Sequence, residues 1–334
     1  MADSNRQLQI AELPTDKLSA EHFRMVEAPI PTPGEGEVLA RTLLLSLDPA
    51  NRAWMQGATY RSALNAGQVM AGFTLGRVIE SNDPEFAAGD LVEGDGGWQD
   101  YFCLAGKRLN KRAPREPLTH LMSVLGVTGN TAYYGMAGIG KPKAGETILV
   151  SAAGGATGSV AGQIAKRAGA RVVGVAGGPD KCARVVAELG FDECLDYRGA
   201  NLFQALKEVC PDGIDVYFDN VGGTTLEAAL FRMNLHGRII CCGVVSQYDT
   251  ATPAPGPRGV PGLLVTKRLT MQGFLVGDDP ALIEEGQANL SAWVDDGSIT
   301  VAEDVVEGLE NAPAGLVGLL AGENFGKRMI KVSD

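Results

Sequence analysis

The residues best placed for chemistry form a glycine-rich stretch, Ala153-Gly154-Gly155-Ala156-Thr157-Gly158. An apolar run, Thr147 to Ser151, precedes it, and Val160 to Arg167 follows with helical spacing, so it reads as the turn of a strand–turn–helix unit. A turn of this kind binds a dinucleotide when one small residue makes the bend, a second lets the backbone meet a pyrophosphate, and a third lets the helix pack closely. Ala153, Gly155 and Gly158 hold those three places. A helix beginning near Gly158 turns its unpaired N–H groups and positive dipole end toward the phosphates. A tight turn that serves packing alone is the competing reading.

The end of the next strand selects the dinucleotide. Val175-Ala176-Gly177-Gly178 offers no carboxylate to the ribose hydroxyls, and Lys181 and Arg184 follow within a helical turn, where they can neutralise a 2′-phosphate. NADPH is therefore the expected cofactor, with a solvated Lys181 as the alternative. No metal is expected. His22, His120 and His236 lie far apart, and Cys103, Cys182, Cys194, Cys210, Cys241 and Cys242 contain no C-x-x-C, so the cysteines read as buried reduced thiols.

Around this turn, strands at Thr147–Ser151, Arg171–Ala176, Ile214–Phe218 and Arg238–Cys242 alternate with helices at Lys181–Leu189 and Leu226–Met233, the pattern of a doubly wound parallel sheet. Short β-rich pieces before residue 125, such as Val38–Leu45, Thr74–Glu80 and Gly89–Val92, suit a small, mostly antiparallel barrel. The C-terminal Lys327–Val332 reads as a strand that returns to that domain. The fold expected is α/β: a Rossmann doubly wound parallel sheet (125–299) inserted into a GroES-like β-barrel catalytic domain (1–124 plus 300–334). Asp249–Gly262, with prolines at 253, 255, 257 and 261, reads as a loop. Asp48, Pro49 and Arg52 read as a capped turn closed by an Asp48–Arg52 ion pair.

The 334 residues exceed what one core usually supports, in line with two domains. A net charge of -11, from 40 Asp+Glu against 29 Lys+Arg, disfavours nucleic acid and anionic membranes as partners and favours a small molecule. No signal-peptide core stands at the N-terminus and no apolar run approaches about 18 residues, so the expected compartment is the cytoplasm.

With their order, these residues resemble the zinc-independent medium-chain dehydrogenase/reductases, in the branch of leukotriene B4 dehydrogenase, prostaglandin reductase, plant double-bond reductase and curcumin reductase. The likeness runs nearly end to end. Its carriers are Leu45-Ser46-Leu47-Asp48-Pro49 with Arg52, Gly97-Trp98-Gln99-Asp100-Tyr101, Gly129-Asn130-Thr131-Ala132-Tyr133, the Ala153–Gly158 turn and Phe218-Asp219-Asn220-Val221-Gly222-Gly223. Cys242-Gly243 with Ser246-Gln247-Tyr248, Glu307-Gly308-Leu309-Glu310-Asn311-Ala312-Pro313 and Asn324-Phe325-Gly326-Lys327 complete it. Ala50 stands where relatives often have an aromatic residue and Thr128 where they have proline, which implies a reshaped pocket.

The resemblance implies reduction of the carbon–carbon double bond of α,β-unsaturated ketones and aldehydes with NADPH, by a homodimer. It implies Gly155, Ala156 and Thr157 on the pyrophosphate, Lys181 and Tyr197 beside the 2′-phosphate, and Asn220, Cys242, Gly243 and Asn324 along the nicotinamide ribose and ring, a set to which Phe274 is added. Hydride delivery to the β-carbon builds negative charge on the carbonyl oxygen, so the site needs a donor there. Tyr248, matching the family's Ser-x-Tyr segment, is the first candidate and Tyr60 the second, since a phenol of pKa about 10 stays protonated near neutrality. Trp54 and Met55, with Tyr60, Tyr248 and Phe274, are candidates for the pocket lining, core packing being the alternative for the apolar three. Trp98 reads as packing. Two other functions stay open: an NADPH quinone oxidoreductase of the same zincless fold, and a non-catalytic NADPH-binding sensor.

Overall fold

The computed structural model describes residues 4–199, 201–253 and 255–334. It forms two compact units: the chain up to Met122 with Tyr248–Ala251 and Glu303–Asp334, and Ser123–Gln247 with Thr252–Ala302. The first unit begins with β1 (Asn5–Ile10), β2 (Phe23–Ala28), β3 (Glu37–Ser46), α1 (Pro49–Gln56), β4 (Thr74–Ser81), β5 (Leu91–Gly94), β6 (Tyr101–Ala105) and β7 (Asn110–Arg112). The second holds α2 (Val127–Tyr133), β8 (Thr147–Ser151), α3 (Ala156–Arg167), β9 (Arg171–Ala176), α4 (Pro179–Leu189), β10 (Glu193–Asp196), α5 (Leu202–Val209) and β11 (Ile214–Asp219). It continues with α6 (Gly223–Arg232), β12 (Met233–Cys241), α7 (Val260–Lys267), β13 (Thr270–Gly273) and α8 (Pro280–Asp295). β14 (Glu303–Glu307), α9 (Ala312–Leu320) and β15 (Lys327–Lys331) then return to the first unit.

The second unit is built on a six-stranded parallel sheet of order β10-β9-β8-β11-β12-β13. Strands covered on both faces read as unbroken apolar runs. Ile148, Leu149, Val150, Val172, Val173, Val216 and Phe218 accordingly have no exposed surface. The order reverses between β8 and β11, so the carboxyl ends of those two strands flank the crevice where doubly wound sheets bind ligands. In the first unit, β14-β15-β3-β4-β5-β7 form a mostly antiparallel sheet with β6 added along β3. The C-terminal return completes it: Met329 and Ile330 pair with Ser46 and Leu45, and Leu309, Leu316 and Ile330 share one core with Leu45, Trp54, Met55 and Trp98.

Three local expectations are corrected. The proline-rich stretch is not a loop as far as Gly262: α7 starts at Val260, because Pro261 falls in its first turn, where a missing N–H costs nothing. Asp48 caps α1 as expected, its N–H donating to Asn51 Oδ1 at 2.8 Å with Pro49 first in the helix, but no Asp48–Arg52 pair forms. Arg52 faces inward, 1% exposed, and its Nε reaches Asp249 Oδ1 at 3.1 Å; Asp48 instead accepts from Lys327 Nζ at 2.7 Å. All six cysteines are free, yet only Cys182 and Cys210 are fully buried; Cys103, Cys194 and Cys241 sit at partly covered strand positions and Cys242 just past the end of β12. Trp98 is packing, wholly buried and stacked on Phe23 at 5.2 Å.

Candidate active site and cofactor cradle

At the carboxyl end of β8 the chain turns through Ala152, whose φ of 50° takes the left-handed conformation, and Gly155 N–H closes the turn on Ala152 O at 2.9 Å. Ala153 stands where a glycine is usual and is accommodated from across the sheet. Its N–H binds Val175 O at 3.0 Å, and a Cβ on Gly174 would lie 2.8 Å from the Ala153 methyl, so the small residue has moved one strand over. Gly158 has no such freedom, since a Cβ there would sit 2.3 Å from Ala152 O and force α3 off the strand. The helix starts at Ala156 with Gly155 as its cap, two residues earlier than the sequence suggested. The N–H groups of Ala156 and Thr157 belong to its first turn, where no helical carbonyl is available to them. A cradle with this open backbone fits a pyrophosphate.

Beyond β9, Gly178 adopts φ 95° and leads into α4, with Lys181 half-buried in the first turn. Asp196, a carboxylate at the end of β10, is turned to structural use. It accepts from the N–H of Gly178 at 2.8 Å and of Arg198 at 3.0 Å, and those bonds hold its carboxyl below the ordinary value. A Cβ on Gly177 would lie 3.0 Å from both Arg198 Nε and Tyr197 Cε1, so this glycine lies under a phenol and a guanidinium. Arg184, expected here from spacing, pairs instead with Glu188 on its own helix, at 2.6 Å. Arg198 was not legible as a partner: it follows a strand of only four residues, and only the pairing of β10 with β9 brings it to Gly177.

The ends of β11 and β12 gather a third set. Asn220 donates from its N–H to Ser151 Oγ at 2.9 Å and from Nδ2 to Ser151 O at 2.7 Å. The carbonyl of Asp219 accepts from Cys242 and Gly243 N–H at 2.9 and 3.1 Å, which brings Asn220, Cys242 and Gly243 together. The Asp219 side chain ties the same loop, accepting from Tyr217 OH at 2.7 Å and from Gly222 and Val221 N–H at 2.8 and 3.0 Å. Burial raises this carboxyl above its ordinary value, against the pull of those bonds. Burial, with the charge of Asp219, pushes the Cys242 thiol up to about 12, so it is neither a thiolate nor a nucleophile near neutrality. The signal for Asp219 was present, a carboxylate ending an apolar strand, but its role as a loop anchor needed the fold. Phe274 stacks on Tyr134 at 4.8 Å in the same unit.

The first unit holds the remaining candidates. Trp54 and Met55, each 4% exposed, belong to its core, which is the packing alternative. Tyr60 is exposed and meets Trp54 edge-on at 6.3 Å. Desolvation pushes its phenol up against the indole of Trp54, and Asp48 and Tyr248 lie near enough to add to the rise. Tyr248 itself falls in this unit, on the segment Tyr248–Ala251, and not in the unit that precedes and follows it in sequence. Asn324 is buried, its Nδ2 bonded to Gly326 O at 2.8 Å. A cavity of about 390 Å³ lined by Arg61, Gln68, Asp95 and Gln99, among others, contains none of the predicted site residues. Among the described residues, no three His, Cys, Asp or Glu side chains come together as a metal would require.

A parallel sheet with a glycine-rich turn at its switch point, joined to a separate catalytic domain, places the chain in a class, and it belongs to the medium-chain dehydrogenase/reductases, in their zinc-independent reductase branch. Residues 6–111 match the family described as the N-terminal domain of oxidoreductase, and residues 156–293 the one described as zinc-binding dehydrogenase. The chain is 44% identical to an NADPH-dependent curcumin reductase of Escherichia coli K12 over 98% of its own length and 97% of that protein's. A 2-alkenal reductase (NADP(+)-dependent) of Nicotiana tabacum is 41% identical, covering 90% and 88% of the two chains. The crystal structure of CurA from Vibrio vulnificus in complex with NADPH superposes with a TM-score of 0.93 at 40% identity, covering 98% of this chain and 99% of that one.

Proposed function

We propose that this chain is an NADPH-dependent ene-reductase that saturates the carbon–carbon double bond of α,β-unsaturated ketones and aldehydes. The observation that carries the reading is Tyr248, a phenol grouped with Tyr60 in the first unit of a chain whose second unit has a dinucleotide cradle. Curcumin and 2-alkenals, the substrates in the relatives' names, both contain a conjugated enone or enal. Bound NADPH supplies the hydride. The cradle residues Ala153, Gly155, Ala156, Thr157 and Gly158 hold the pyrophosphate, and Lys181, Tyr197 and Arg198 hold the 2′-phosphate. Asn220, Cys242, Gly243, Phe274 and Asn324 line the nicotinamide end. Tyr248 donates a hydrogen bond to the substrate's carbonyl oxygen as charge develops there; Tyr60, Trp54 and Met55 shape the space around it. Residues 1–124 and 300–334, with Tyr248–Ala251, form the catalytic domain, and the rest of 125–299 the nucleotide domain.

NADPH oxidation followed at 340 nm should be rapid with simple enones and enals and slow with quinones. Bound NADPH that no enone, enal or quinone oxidises would leave a cofactor-binding sensor as the reading.

The reading extends to a cytoplasmic homodimer. Among the described residues β13 ends its sheet with one edge unpaired, and α7, which packs on the neighbouring β12, has no buried residue, Val265 being 75% exposed, a surface suited to a second copy. No helix among the described residues is long and apolar enough to cross a membrane. In a cell extract the activity should stay in the soluble fraction and sediment at twice the chain mass of 35.0 kDa. A monomer, or activity that pellets with membranes, would count against this part of the reading.

A further inference from the structure

Arg52 is among the most deeply buried charges of the first unit, and its partner is the residue next to Tyr248. From α1 its Nε donates to Asp249 Oδ1 at 3.1 Å, and its Nη2 donates to the carbonyls of Asp16 at 2.7 Å and Pro14 at 3.5 Å, while Nη1 has no hydrogen-bond partner among the described residues. Asp249 Oδ1 also accepts from Leu18 N–H at 2.5 Å. Ala251 N–H donates to Asp16 Oδ1 at 3.0 Å, so the segment Tyr248–Ala251 is tied down on both sides of Thr250. Asp249 is held at φ 56°, a left-handed backbone that a non-glycine residue adopts only where its surroundings impose it.

Stability alone gives little reason for this arrangement. Burying a guanidinium costs desolvation that a pair repays only with full hydrogen bonding, and apolar residues of similar volume usually serve a core as well or better. With one nitrogen left unbonded, Arg52 is a poor choice for a core and a good one for fixing a direction.

We infer that the Arg52–Asp249 pair is a positioning device that aims the Tyr248 hydroxyl, with Asp16 and Leu18 as its second anchor. The inference rests on Tyr248 as the donor to the substrate oxygen. A misplacement of about 1 Å at a reacting group can cost about 10²-fold in rate. Asp249→Asn keeps an acceptor for Leu18 but loses the charge that holds Arg52; Arg52→Met keeps the length and loses every donor.

The test is a cycle of Asp249→Asn and Arg52→Met, each in the wild-type and the Tyr248→Phe backgrounds, with kcat for an enone and the NADPH Kd by fluorescence. Each is expected to lower kcat about 10- to 100-fold with the NADPH Kd within about twofold, and to change kcat less than about twofold once Tyr248 is Phe. Should Arg52→Met fail to fold, the partly exposed Asp249 carries the test alone. Unchanged kcat in Asp249→Asn, or losses that multiply in full with Tyr248→Phe, would overturn the inference while leaving the donor in place. If Tyr248→Phe itself leaves kcat intact, the donor assignment falls and the inference falls with it.

Discussion

Replacing Tyr248 by Phe is expected to lower kcat for an enone about 10²- to 10³-fold, the cost of removing one donor aimed at a developing oxyanion, about 2.7–4 kcal/mol. The expectation follows from where charge appears. The substrate arrives as a neutral carbonyl and acquires negative charge on oxygen only as hydride reaches the β-carbon, so the phenol contributes far more to the transition state than to binding. NADPH affinity and KM should therefore move little. Tyr60→Phe provides the contrast. Its side chain is largely exposed and meets Trp54 edge-on, so the loss of its hydroxyl should cost less than that of Tyr248. Equal and small effects at both positions would remove the phenol from the mechanism, and a larger loss at Tyr60 would exchange the two roles. The rates come from steady-state kinetics and the Kd from NADPH fluorescence.

Lys181→Ala and Arg198→Ala should each weaken NADPH about 10- to 100-fold and leave NADH within about twofold, since a hydrogen bond to a charged group contributes about 1.5–3 kcal/mol. The two cofactors differ only in the 2′-phosphate, which makes the ratio of their dissociation constants a direct reading of the contact. Arg198 is the more informative position. Its Nε lies over Gly177, and its own N–H, with that of Gly178, holds the Asp196 carboxylate at the end of β10. The loss should shrink with added salt, because both cations sit near the surface and are screened there. Parallel losses of NADPH and NADH would mean that these residues support the fold of α4 and β10 and not the phosphate.

These two positions mark the limit of what could be read from the chain. Lys181 could be picked out as a candidate because it follows a strand and a glycine pair at short range, and the strand–turn–helix at Thr147–Arg167 was legible because periodicity is local. Arg198 was not, since β10 is short and half-buried and its place beside β9 depends on pairing across α4. The Asp48–Arg52 pair was inferred from a spacing of four, which is sound for an exposed helix; burial of Arg52 turned it toward a residue 197 positions away. Tyr248 could be picked out as a candidate donor, while its membership of the first unit could not, because contacts of its segment with residues 16, 18, 52 and 56 are long-range in sequence. The substitution of Ala153 for a glycine weakened the turn as a motif. Gly174, on the neighbouring strand, restores the space, and no pattern within the motif records it.

Ene reduction is tested most directly by the product. With NADPH deuterated at the transferring position of C4 and a simple enone, mass spectrometry and NMR of the product should find the saturated ketone, with one deuterium on the β-carbon and the carbonyl intact. An allylic alcohol, with deuterium on the former carbonyl carbon and the double bond retained, would contradict the account.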